Sequence, residues 1–311
     1  MKPALIVMAA GMGSRYGGGG LKQIEAVGPS GELLIDYSVY DALRAGFGRI
    51  VFVIKNEFRL AFREAIGKRI EAVADVAYVF QDTADIPKGI ELPMLRTKPW
   101  GTAHAVLAAR DAVTEPFAVI TADDFQGPTS FRMIADFLEE ADEKVNDKDG
   151  LYKYAMVGFE LGQTLSKAGS VARGVCVVKE DGNLKTIVER KNISLRDEGI
   201  ICEDDLGKEM LSPSNTVSMS AWGFTPSFFE EAEAGFVSFL NQHMHDKEAL
   251  ATKEFYIPSL VNRLVSEGKA SVKVFLAQER WCGITNPGDK PIVVENIRRM
   301  VEGGLYPPKL W

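Results

Sequence analysis

Through the first 125 residues, short apolar runs rich in β-branched residues alternate with segments whose apolar positions recur every three or four residues. The runs at 3–9 (PALIVMA), 49–55 (RIVFVIK), 75–80 (DVAYVF) and 116–122 (PFAVITA) read as strands buried in a sheet. Between them, 33–47, 58–73 and 102–113 carry the periodicity of amphipathic helices, and 131–143 carries it again after the fourth run. Such alternation predicts βαβ units and an α/β fold, Rossmann-like, with a mostly parallel sheet flanked by helices.

Beyond Asp149 the pattern changes to short strands and turns: 154–161, 174–178, the Asp181-Gly182-Asn183 turn, then 184–189. A β-rich extension of the sheet is expected there rather than another βα repeat. Residues 192–214, with mixed charges, two glycines and a proline, are expected to form an exposed excursion. Helices are expected at 228–243, 256–267 and 292–302, around a strand at 270–277. No linker of biased composition and no internal repeat interrupts the 311 residues, so one domain with two lobes is expected, 1–127 and 128–311.

Composition narrows the partners. The net charge is -7, and the 36 Lys and Arg are scattered without a basic run, which argues against a nucleic-acid ligand. Three widely spaced cysteines give neither a complete disulfide framework nor a zinc pattern, as suits a reducing cytoplasm. The apolar stretch from Ala4 to Ala10 is too short for a signal segment, and no apolar run approaches the roughly 18 residues that a membrane span needs. With only three histidines, catalysis built on histidine triads has little scope.

The densest chemical signal is Met8-Ala9-Ala10-Gly11-Met12-Gly13-Ser14-Arg15, directly after the first strand and followed by Lys22. Glycines at the carboxyl end of a first parallel strand let backbone N–H groups approach a polyphosphate, while Arg15 and Lys22 supply countercharge. Two other phosphate motifs fail on the letters. A dinucleotide fingerprint needs Gly or Ala where Tyr16 stands, and a P-loop needs Gly-Lys-Ser/Thr where Lys22 lies between Leu21 and Gln23. The pair Asp123-Asp124, ending the fourth strand, offers hard oxygen ligands to a divalent cation at the sheet edge where ligands of parallel sheets collect.

The string MAAGMGSRYGGGGLKQ resembles the LAAGxGxR…K signature of the NTP-transferase superfamily of sugar-phosphate nucleotidyltransferases. The Arg15-to-Lys22 spacing is similar to that of its cytidylyltransferases. The resemblance implies a nucleotide-diphospho-sugar transferase fold with a small β-rich acceptor lobe. Ala9, Ala10, Gly11 and Gly13 would then hold the triphosphate, with Arg15 and Lys22 as its cations. WGTAHAVLAAR (100–110) is similar to a helix start of the N-acetylglucosamine-1-phosphate uridylyltransferases, which implies that Gly101 and Thr102 lie against the base. Gln81 resembles the glutamine that reads a pyrimidine there, although the 19 residues between Gln81 and Gly101 are more than those enzymes have. Asp123 resembles the family's magnesium aspartate. KTIVERKNIS resembles the segment that holds the sugar, which nominates Glu189 for hydroxyls and Lys191 for the acceptor phosphate, with Gly174 as a backbone contact.

One departure concerns the metal. Where the family carries a late Asp or Asn in a WxDxGT-like motif, this chain has Trp281-Cys282-Gly283, so Asp124 or water would complete the coordination. Ser220 likewise stands near a sugar-binding asparagine of the family. The expected activity is Mg²⁺-dependent transfer of NMP from UTP or dTTP, with CTP the nearest rival, to a phosphorylated small molecule, a sugar 1-phosphate first. Arg15, Lys22 and Asp123 would form its catalytic group, and Asp123 and Asp124 its metal ligands. Two alternatives stay open: a cytidylyltransferase for a non-sugar phosphate such as phosphocholine, and a silent nucleotide-sugar-binding protein. The sequence leaves a homo-oligomer open.

Overall fold

The computed structural model describes residues 1–11, 26–87, 96–143, 150–166, 169–284 and 287–311. The first half of the chain follows the hydrophobic pattern: β1 (Ala4–Met8), α1 (Leu34–Ala45), β2 (Arg49–Ile54), α2 (Arg59–Phe62), α3 (Lys68–Glu71), β3 (Asp75–Phe80), α4 (Thr102–Leu107) and β4 (Phe117–Thr121). β1 pairs in parallel with β2 on one side and β4 on the other, and β3 lies outside β2. Alternate β1 residues enter different apolar layers. Ala4, Ile6 and Met8 pack towards the α4 side, and Leu5 and Val7 towards α1. A strand wholly covered on both faces needs such an unbroken apolar run.

The second half adds β5 (Asp124–Phe125), α5 (Pro128–Glu143), β6 (Tyr152–Glu160), β7 (Val171–Val178), β8 (Leu184–Arg196), β9 (Gly199–Asp204), β10 (Gly207–Leu211) and β11 (Thr216–Phe224). It continues with α6 (Ser227–His243), α7 (Lys247–Thr252), α8 (Ile257–Ser266), β12 (Ala270–Leu276), β13 (Cys282–Gly283) and α9 (Lys290–Glu302). The large mixed sheet runs β10-β9-β8-β7-β11-β4-β1-β2-β3, with β6 and β12 attached to it through β11. Past β4 the new pairings are antiparallel, apart from β6 with β12.

Residues 192–214 correct the expectation of an exposed excursion. They complete β8 and form β9 and β10, because Ile193, Ile200, Cys202 and Leu211 are buried. The charges that make the segment look like a loop are cross-strand pairs. Arg190 meets Asp204 at 2.8 Å and Glu209 at 2.5 Å, and Arg196 meets Glu203 at 2.9 Å.

β11 is the strand that the hydrophobic pattern leaves unassigned, and it organises the sheet. From Thr216 to Gly223, on both sides of a bulge, one edge pairs with β6. Its other edge pairs first with β7, at Val217 and Ser218, and then with β4, from Trp222 to Phe224. Between these two stretches the strand bulges at Ser218–Ala221, and Ser220 takes φ 61°, a left-handed conformation uncommon for a residue with a side chain. The sheet therefore forks where β4 and β7 part.

The C-terminal tail closes over α1, where the Tyr306 hydroxyl donates to Asp41 Oδ2 at 2.6 Å. Burial pushes the Asp41 carboxyl up to about 7, against the Tyr306 hydrogen bond that favours ionisation. An unfolded aspartate titrates near pH 4, so between about pH 4 and 7 the folded chain binds more protons and loses stability as pH rises. Asp41→Asn should flatten that slope, leaving only what other buried carboxylates such as Glu189 contribute, and leave the protein more stable than the parent at pH 8, by on the order of 1–3 kcal/mol. Urea unfolding at pH 5 and pH 8 measures both quantities, and an unaltered slope would show that Asp41 is not its source.

Candidate active site

At the fork lies a cavity of about 230 Å³. Thr121 at the end of β4, Arg173 and Gly174 of β7, and Ser218 to Ser220 of the bulge form its walls. Thr102 at the start of α4, the Asp123-Asp124 pair, Glu189 of β8, and Tyr256 and Pro258 at the start of α8 complete it. The carboxyl end of the parallel strand β4 and the bulged antiparallel strand β11 thus converge on one opening, the usual position for a ligand in such sheets.

Thr102, Asp123, Asp124, Gly174 and Glu189, nominated separately from the sequence, come together here. Gly174 pairs with Glu189 across β7 and β8, and a Cβ on it would come within 2.9 Å of Ile187 and 3.2 Å of Ser218. Gly101 holds φ 111°, with the Phe255 carbonyl 2.5 Å from where its Cβ would stand, so a side chain is excluded for two reasons. Thr102 Oγ1 accepts from the Ile257 amide at 3.0 Å, which ties the starts of α4 and α8 together.

Gln81 follows β3 and donates from Nε2 to the Gly101 carbonyl at 3.0 Å. Ala9 and Ala10 are buried just past β1, Ala9 donating to the Val53 carbonyl at 2.8 Å, and Gly11 is exposed at the start of the turn. Gly13, Arg15 and Lys22 lie outside the described residues. Lys191, two residues beyond Glu189 on the same face of β8, lines a neighbouring cavity of about 620 Å³, which shares Glu189 and Tyr256 with the first. Its ammonium stands 5.6 Å from the Tyr256 ring centre.

Asp124 is held from two sides: Thr121 Oγ1 donates to Oδ2 at 2.5 Å and Trp281 Nε1 to Oδ1 at 3.2 Å. Gly283 faces it across the short ribbon of β5 and β13. A Cβ at Gly283 would come within 2.6 Å of Asp124 Oδ1 and 2.5 Å of the Trp281 ring, so the space a carboxylate at 283 would need is taken by these two side chains. The Asp123 carbonyl accepts from the Ile284 amide at 3.2 Å, which pins the pair to β13.

The electrostatics of the cavity centre on a residue the motifs miss. Arg173 is buried and donates to the Thr164 hydroxyl at 3.2 Å and the Ala172 carbonyl at 2.8 Å. Its guanidinium carbon stands 5.0 Å from the Trp281 ring centre. Burial lowers its pKa, while Asp124, Glu189 and Asp123 favour its charge. It is the only cation among the described residues lining this cavity. A lone arginine within the apolar run VARGVCVV is the sequence signal that points to it. Burial pushes the Glu189 carboxyl up to about 7, with Arg173 and Lys191 pulling the other way.

Asp123 and Asp124 supply hard oxygen donors, which fit a magnesium ion that completes its shell with phosphate oxygens and water. Among the described residues no group of three or more His, Cys, Asp or Glu side chains converges on such a point. Nor, among them, is any helix long and apolar enough to cross a membrane.

A solved UDP-glucose pyrophosphorylase, complexed with UDP-glucose, aligns at 17% identity with a TM-score of 0.58, over 96% of this chain and 99% of that one. The inositol-1-phosphate CTP transferase from T. maritima aligns at 16% identity with a TM-score of 0.59, over 97% of each chain. No curated protein sequence matches. At such identities the two structures speak for the fold, that of nucleotidyltransferases, while the sequence itself matches a family over β1 to β6. Residues 4–158 of this chain match the nucleotidyl transferase family.

Proposed function

We propose that the chain transfers a nucleoside monophosphate from UTP or dTTP, with CTP as the nearest rival, to a sugar 1-phosphate and releases pyrophosphate. The observation that carries this reading is the convergence of Thr102, Asp123, Asp124, Gly174 and Glu189 on one cavity at the fork of the sheet. An acceptor phosphate oxygen attacks the α-phosphorus, the bond from that phosphorus to the bridging oxygen breaks, and pyrophosphate departs with the electron pair. The acceptor is already an anion, so no general base is needed, and positioning with charge stabilisation suffices.

In this reading Gln81, Gly101 and Thr102 bind the base, and the turn from Ala9 to Gly13 binds the triphosphate together with Arg15 and Lys22. Glu189 accepts from sugar hydroxyls, Gly174 lets the sugar approach the strand, and Lys191 holds the acceptor phosphate. Asp123 and Asp124 would hold Mg²⁺, Asp124 from the space that Gly283 leaves open. When bound, that ion would offset the charge that builds on the phosphates. Pyrophosphate release, measured with each NTP against a panel of phosphorylated acceptors with and without chelator, tests the reading. The panel should include polyol and choline phosphates, because the likeness to the T. maritima CTP transferase and the Arg15-to-Lys22 spacing both favour that second choice.

Glu189→Ala should raise the KM for a sugar phosphate by roughly ten- to a hundredfold, as loss of a charge-assisted contact does, with the KM for NTP nearly unchanged. Lys191→Ala should impair acceptor binding and rate together. Wild-type acceptor kinetics in both variants would rule out this sugar site, and a neutral Glu189→Ala alone would favour an acceptor without a hydroxyl network.

A further inference from the structure

His104 is the one histidine on α4, buried to 1% exposure, with its ring 4.7 Å from that of Phe236. Its Nε2 lies 2.9 Å from the Asp85 carbonyl oxygen, and its Nδ1 lies 3.4 Å from Gln81 Nε2. A carbonyl can only accept, so Nε2 carries a proton. Burial disfavours a second proton. Asp85 pulls against that effect, while Arg110 and Arg96 reinforce it. The neutral ring then presents a bare Nδ1, which is an acceptor.

Gln81 thus has two acceptors beside its amide nitrogen, His104 Nδ1 and the Gly101 carbonyl. The reverse amide orientation would set its oxygen against both. Each partner occupies one of the two amide hydrogens, so a ligand that meets this side chain finds only the oxygen. Uracil and thymine bring a ring N–H on their pairing edge to such an oxygen, whereas the same ring position of cytosine is a lone pair.

We propose that His104 is a positioning residue for base choice: anchored to the Asp85 carbonyl, it turns Gln81 so that only an acceptor meets the base, and thereby selects a base with a ring N–H over cytosine. The proposal rests on the nucleotidyl transfer reading, with Gln81 at the base. It also narrows that reading, because a freely rotating glutamine would serve a pyrimidine of either kind.

Two measurements on the full chain decide it. In a ¹⁵N-histidine-labelled sample, where only three histidines contribute, His104 should be neutral at pH 7 with its proton on Nε2. A proton on Nδ1, or on both nitrogens, would overturn the lock. In kinetics, His104→Leu should lower the ratio of kcat/KM for UTP over CTP by at least ~10-fold, chiefly through the KM for NTP. His104→Asn, whose amide oxygen can replace Nδ1, should keep the ratio. A folded Leu variant with an unchanged ratio would overturn the proposal.

Should the Leu variant fail to fold, Gln81→Glu provides the second variant. A carboxylate cannot donate to Nδ1, so His104 should take up a proton there, visible in the same spectrum, and an unchanged ring would count against the lock. If the parent chain releases pyrophosphate with no NTP, the transferase reading fails. The tautomer then reports separately on whether Gln81 is held.

Discussion

Asp123→Asn should lower turnover more than about 100-fold, the scale expected when charge stabilisation is lost at a transition state. Asp123 lines the cavity two residues past β4, and its backbone carbonyl is tied to Ile284, so an amide at this position removes the charge while the backbone tie to β13 remains. Asp124→Asn should cost less, since the Trp281 indole can still donate to the amide oxygen while the Thr121 hydroxyl turns to accept from the amide nitrogen, which keeps the side chain in place. Steady-state pyrophosphate release at saturating Mg²⁺ measures both. Full activity of the Asp123 variant in excess chelator would exclude the assignment of the metal to this pair.

Lys22→Ala should reduce kcat/KM by at least ~10²-fold, because truncating a cation that contacts the reacting phosphate forfeits several kcal/mol. In the proposed reading a triphosphate would bring several negative charges into the turn after β1. Among the described residues lining the cavity at the fork, Arg173 is the one cation, so in the proposed reading Arg15 and Lys22 would carry the rest of the countercharge. The variant should bind the sugar phosphate as the parent does and fail in the rate of phosphorus transfer. An unaltered pyrophosphorolysis rate would refute the role.

How far the letters reach can be judged strand by strand. β1, β2 and β4 are legible because strands covered on both faces must be continuous apolar runs, the half-buried edge strand β3 because its run from Val76 to Phe80 is apolar too, and the helices between them show one apolar stripe each. β9 and β10 are not, since their charges pair across strands and no window along the chain shows the partner. β11 escapes for a different reason. Its Ser218 and Ser220 break the apolar run, and the bulge they form has meaning only beside β4 and β7.

The site divides in the same way. Asp123, Gly174 and Glu189 stand out by resemblance, each at the end or edge of a legible strand. Arg173, Tyr256 and the Trp281 contact to Asp124 depend on segments distant in sequence that meet only in the fold.

The dual pairing of β11 also sets a timetable for biosynthesis. β4 is made early, yet the strand that covers its second edge appears long after it, and at roughly 5–20 residues per second the ribosome leaves that edge waiting for seconds. During that interval the nascent N-terminal half carries a bare, apolar strand edge in the middle of its future sheet, the kind of template on which chains join one another. A fragment ending near residue 127 would keep that edge for good and should aggregate. In the finished protein the same strand hydrogen-bonds to both halves, so neither can melt without the other, and unfolding should proceed in a single cooperative step.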